Sequence, residues 1–125
     1  MAKILLVDDE KEFVEMLTVR LQKSGGHEVL QAFDGEEGLR LAQEKKPDVI
    51  LLDIMMPKMD GREAIRRLKA EAKTAAIPII ILTASVSTKS MQEFAKLGAF
   101  DFIIKPFSSD QLIAKIKTAL GDLAG

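Results

Sequence analysis

Short apolar runs that stop abruptly at charged residues constrain this chain more than any other feature. Lys3-Ile4-Leu5-Leu6-Val7 runs into Asp8-Asp9, Val49-Ile50-Leu51-Leu52 into Asp53, and Phe102-Ile103-Ile104 into Lys105-Pro106. Runs of three to five residues are too short for helices and suit strands covered on both faces, as in a parallel sheet. Strands are expected at Lys3–Val7, Val29–Phe33, Val49–Asp53, Ile79–Thr83 and Asp101–Ile104. The second run, Val29-Leu30-Gln31-Ala32-Phe33, is mixed in polarity and suits a sheet edge.

Between these runs the periodicity changes to that of helices. Phe13, Leu17 and Leu21 recur every four residues with Met16 alongside, until Gly25-Gly26 offers a left-handed stop. Asp34-Gly35-Glu36-Glu37 places an acid three residues after an N-cap candidate, and Ser108 with Gln111 repeats the pattern before Leu112, Ile116 and Leu120. A third helix enters through Asp60-Gly61 and carries Ile65 and Leu68, and a weakly patterned fourth runs from Ser87 to Leu97 before Gly98. Five strands alternating with five helices predict an α/β fold, a doubly wound parallel sheet with right-handed crossovers and helices on both faces. Five such units fill residues 1–125 as a single domain, with no linker or internal repeat.

In a sheet ordered 2-1-3-4-5, strands 1 and 3 meet at the point where the winding reverses, which is where open α/β sheets bind ligands. Asp8, Asp9 and Asp53 would then crowd together with Lys105 at one sheet edge. Crowded carboxylates repel and call for a cation or a proton. Oxygen ligands favour a hard divalent ion, Mg²⁺ ahead of Zn²⁺. Each residue also has a plainer role. Acids at a helix start complement its dipole, which accounts for Glu10 better than for two adjacent aspartates. Asp53 ends a buried strand with no capping task, and a carboxylate there can attack phosphorus to give an acyl phosphate. Lys105, followed by proline, is a candidate for a held ammonium. Thr83, plain strand on its own, could donate a hydroxyl proton to a phosphoryl oxygen at the same edge.

Composition narrows the alternatives. Eighteen basic against nineteen acidic residues give a net charge of −1, which argues for no direct nucleic-acid contact. The absence of cysteine excludes disulfides and thiolate metal sites. No apolar run approaches a membrane span, and strand 1 begins too early to leave room for a signal peptide, so a cytoplasmic location is expected. The single histidine, His27, follows Gly25-Gly26 and reads as an exposed turn residue, far from every acidic strand end.

Val7-Asp8-Asp9-Glu10, Leu52-Asp53-Ile54-Met55-Met56-Pro57-Lys58-Met59-Asp60-Gly61, Leu82-Thr83-Ala84 and Lys105-Pro106-Phe107 together resemble the receiver domain of two-component response regulators. The resemblance spans the whole chain and implies a flavodoxin-like, chemotaxis-regulator-like fold. It implies that Asp53 accepts phosphate from the phosphohistidine of a sensor histidine kinase or histidine phosphotransfer protein. It further implies Mg²⁺ held by Asp9, Asp53, the Met55 carbonyl and, largely through water, Asp8, with Lys105 pairing with the phosphoryl group. Thr83 would move onto that group while Phe102 turns inward, coupling the site to the face of helix 4, strand 5 and helix 5. Phe102 stands where the family often has tyrosine, so a hydroxyl contact is lost; read alone it is a core residue. Phe100 stands where an acidic or small polar residue is common, and is expected to anchor a downstream protein partner. A haloacid-dehalogenase-like phosphatase would also use an aspartyl nucleophile and Mg²⁺, but it needs an aspartate where Met55 stands. A nucleotide-binding module lacks its glycine-rich loop after strand 1. A degenerate receiver that only binds partners would not keep the full set of acids, Thr83 and Lys105.

Overall fold

The structure, a computed structural model, describes residues 2–56 and 58–121. The sequence readings that involve Met1, Pro57 and the chain end at Gly125 lie outside those residues. Strands β1 (Lys3–Val7), β2 (Glu28–Ala32), β3 (Val49–Asp53), β4 (Ile79–Thr83) and β5 (Asp101–Ile104) form one parallel sheet in the order β2-β1-β3-β4-β5. Helices α1 (Lys11–Gly25), α2 (Gly35–Lys45), α3 (Gly61–Ala70), α4 (Thr88–Leu97) and α5 (Ser109–Ala119) connect them. This is the flavodoxin-like α/β arrangement expected from the alternating pattern.

The apolar runs divide cleanly by strand alternation. Leu5, Val7, Ile50, Leu52, Ile79 and Ile81 point to one face and pack with Ala42, Ala64, Ile65, Leu68 and Phe94 from α2, α3 and α4. Ile4, Leu6, Val49, Leu51, Ile80, Leu82 and Ile103 point to the other and pack with Val14, Leu17, Leu21, Leu112 and Ile116 from α1 and α5. Because β1, β3 and β4 are covered on both faces, a polar residue in them would be buried without a partner. Polar groups therefore gather at their ends.

Three expectations shift. β2 ends at Ala32, the last residue paired with β1, so Phe33 falls just past the strand. Ser87 lies outside α4 as its N-cap, accepting from the Ser90 N–H. Asp34, Asp60 and Ser108 cap α2, α3 and α5, and Ser108 with Gln111 completes a reciprocal capping box. Gly26 closes α1 at φ +65°. Met16 is nearly half exposed on the outer side of α1. His27 is half-buried rather than exposed: its Nδ1 accepts from the Ala2 N–H at 3.0 Å, and burial lowers its pKa.

Candidate functional site

The parallel register brings the carboxyl ends of the strands to one edge: Val7 pairs with Leu52, Asp53 with Leu82, and Thr83 with Ile104. The residues just beyond these pairs therefore share a cleft. Asp8 is fully buried, Asp53 and Thr83 nearly so, and Lys105 is half-buried. Gly61 lets the start of α3 close behind Asp53, since a Cβ there would lie 2.7 Å from the Ile54 Cα.

Lys105 is the centre of the charge arrangement. Its Nζ donates to Asp8 Oδ2 at 2.7 Å and to Glu10 Oε1 at 3.3 Å, and lies 3.8 Å from Asp53 Oδ2. The ring of Phe13, which meets Phe107 edge-on, sits 4.5 Å from the ammonium and adds a cation–π contact. The Lys105 N–H donates to the Thr83 carbonyl at 2.7 Å, and the Lys105–Pro106 peptide is cis. Burial opposes the lysine's charge, but the hydrogen bond and charge of Asp8, with Asp53 and Glu10, hold its pKa above the ordinary value.

The two buried carboxylates differ in how fully they are occupied. Asp8 accepts from Lys105 through Oδ2 and from the Glu10 N–H through Oδ1 at 2.9 Å. Asp53 accepts from the Met55 N–H through Oδ1 at 3.1 Å, while the 3.8 Å from Oδ2 to Lys105 is too long for a hydrogen bond. Among the described residues, that oxygen has no hydrogen-bond donor. Burial pushes the Asp53 carboxyl up to about 6; repulsion from Asp8 and Asp9 adds to this, while the Met55 N–H and Lys105 oppose it.

Of the residues singled out from sequence, Asp8, Asp53, Thr83 and Lys105 converge at this edge. Asp9 is exposed and stands outside the group of carboxylates whose oxygens lie within 4.8 Å of one another, which comprises Asp8, Glu10 and Asp53. Glu10, read from sequence as a dipole partner of α1, reaches across to Lys105 instead. The signal was its place in an unbroken run of three acids. This all-oxygen donor set fits a hard cation such as Mg²⁺ and no thiophilic metal. Met55, two residues after Asp53, is 71% exposed and offers no acidic group there. The Thr83 hydroxyl donates to the Ser85 carbonyl at 2.7 Å and is turned into its own loop. Phe102 is half-buried with its ring 6.4 Å from that of Phe94, and Phe100 is 46% exposed.

Known proteins match this chain over most of its length. The family model described as the response regulator receiver domain matches residues 4–117. Protein PilH of Pseudomonas aeruginosa is 41% identical over 120 residues, spanning 96% of this chain and 98% of PilH. The alkaline phosphatase synthesis transcriptional regulatory protein PhoP of Bacillus subtilis is 42% identical over 118 residues, spanning 94% of this chain but 48% of PhoP. The crystal structure of chemotaxis protein CheY4 of Vibrio cholerae superposes with a TM-score of 0.90 at 35% identity, covering 95% of this chain and 98% of CheY4. With matches of this extent laid over the acidic edge, the phosphatase and nucleotide-binding readings lose their ground, and the chain belongs to the response regulator receiver domains.

Proposed function

We propose that Asp53 is the phosphoacceptor and that its phosphorylation switches this domain between two signalling states. One observation carries the reading. Among the described residues, Asp53 alone combines burial at a strand end, an oxygen without a hydrogen-bond donor, and an ammonium 3.8 Å away. In the reaction, Oδ2 attacks phosphorus in line with the phosphohistidine of a sensor kinase or phosphotransfer protein. The P–O bond forms as the P–N bond breaks, and the departing imidazole takes up a proton. Lys105 offsets the charge on the phosphoryl oxygens, and Thr83, once released from Ser85, donates to one of them. Asp9 and Asp53, the Met55 carbonyl and, through water, Asp8 would hold Mg²⁺. When bound, the ion neutralises charge that would otherwise repel the donor.

The domain catalyses only its own phosphorylation and dephosphorylation. As a single cytoplasmic unit, it would pass its state to a downstream protein through the face of α4, β5 and α5. Phe100 anchors that contact as an exposed aromatic. No described helix is long and apolar enough to cross a membrane. Intact-mass measurement after incubation with a small acyl-phosphate donor tests the assignment. One phosphoryl group should be gained in Mg²⁺ and none in chelator, and incorporation that persists in Asp53→Asn overturns it.

A further inference from the structure

α4 buries fewer residues than any other helix described. α1 and α3 each bury four residues, whereas α4 buries Phe94 alone. What fixes α4 is a set of contacts around that ring. Arg62, near the start of α3, bonds Glu93 of α4 through Nε at 2.6 Å. Its guanidinium also lies 5.9 Å from the centre of the Phe94 ring. Phe94 in turn meets Phe102 of β5 at 6.4 Å. The Lys115 ammonium lies 5.9 Å from the centre of the Phe102 ring and is held by Asp101 at 2.9 Å. The Arg62 guanidinium thus meets a carboxylate and a ring of the same helix at once.

The chain leading into α4 is also the chain that positions Thr83. The Thr83 hydroxyl is bonded to Ser85, two residues before the N-cap Ser87. A displacement of α4 therefore pulls directly on the loop that keeps this hydroxyl away from Asp53.

We propose that Arg62 is a positioning residue for the switch: through Glu93 and Phe94 it clamps α4 in the resting position and so keeps Thr83 turned to Ser85. The inference rests on the roles given above to Asp53 and Thr83. It places the resting-state lock on α3, outside the face that carries the output. An exposed ion pair alone would contribute little. Here it acts together with the guanidinium's contact on the Phe94 ring, on the helix with the fewest buried residues.

Two readouts on the whole domain separate this clamp from a merely structural contact. In unphosphorylated protein with chelator, Arg62→Met should raise amide hydrogen exchange across residues 84–97 by about tenfold and leave α1 unchanged. With Mg²⁺ and a small acyl-phosphate donor, the same variant should be labelled about threefold faster, because the competent arrangement is more often populated. The charge swap Arg62→Glu with Glu93→Arg should restore part of both effects. Unchanged exchange overturns the clamp. Faster exchange confined to α4, with labelling at the wild-type rate, also overturns it and leaves Arg62 as a structural tie. If wild type takes up no phosphate, the Asp53 reading fails; exchange across residues 84–87 then decides the clamp alone.

Discussion

Lys105 donates to Asp8 across 2.7 Å, although 97 residues separate them in the chain. The lysine, from the end of β5, reaches past β4 and β3 to an acid at the end of β1. Its ammonium is closer to Asp8 and Glu10 than to Asp53, so in the resting protein it serves the strand-1 acids first. Delivery of that charge to a phosphoryl group on Asp53 requires only a small movement.

Removing this charge should be felt most when no other cation is present. Lys105→Met leaves Asp8 buried without its counterion, and breaking such pairs costs about 3 kcal/mol or more. Urea unfolding in chelator should show that loss, and saturating Mg²⁺ should return most of it. An equal loss in both conditions would mean that Lys105 supports the fold through packing on Phe13.

The raised pKa of Asp53 fixes the sign of a pH effect. Its folded value of about 6 lies above the ordinary 3.8, so the folded state holds the proton more tightly. The stability from this group is fully present below about pH 4 and is lost as pH rises through 6. Between pH 4 and pH 7 in chelator, wild type should lose about 2 kcal/mol relative to Asp53→Asn. Parallel stability curves for the two proteins would mean that burial does not perturb this carboxyl.

Asp9 and Glu10 make a sharp comparison, since the family pattern favours the first as a metal ligand and the carboxylate geometry the second. Asp9→Asn should weaken Mg²⁺ binding by about tenfold while leaving the metal-free fold intact or steadier, because one repelling charge is gone. Glu10→Gln should weaken it less, since its carboxylate is engaged with Lys105. Calorimetric titration with Mg²⁺ ranks the two, and the opposite order would move the ligand role to Glu10.

Phe100 is far enough from the core that its loss should spare the fold. Phe100→Asp is expected to change unfolding free energy by about 0.5 kcal/mol or less, as at other exposed positions. Association of the phosphorylated domain with its protein partner should weaken by about tenfold. A stability loss of several kcal/mol would mark the ring as packing, and undiminished association would remove it as the anchor.

The strands that build the site were legible because two-sided burial leaves a plain signature. Ile4 to Val7, Val49 to Leu52 and Ile79 to Leu82 contain no polar residue, so Asp8, Asp53 and Thr83 stand out as the first groups free to do chemistry. β2 was misplaced by one residue because Phe33 is apolar, whereas pairing with β1 ends the strand at Ala32. The segment from Glu71 to Pro78 has no period to read. It is held by polar contacts to the end of α3: the Thr74 hydroxyl bonds the Leu68 carbonyl at 2.6 Å, and the Lys69 ammonium bonds the Ala75 and Ile77 carbonyls. The same limit explains Glu10 and Arg62. Spacing tells which face a long side chain leaves from, not which charge it meets across the fold.

The central claim is that Asp53 forms the acyl phosphate. Borohydride reduces an aspartyl phosphate to homoserine, so reduction after labelling with an acyl-phosphate donor and Mg²⁺ leaves a permanent mark on the acceptor. Peptide sequencing should find homoserine at position 53 and nowhere else, and none in protein treated with chelator. Homoserine at position 8 or 9, or label that survives at another residue in Asp53→Asn, would contradict the account.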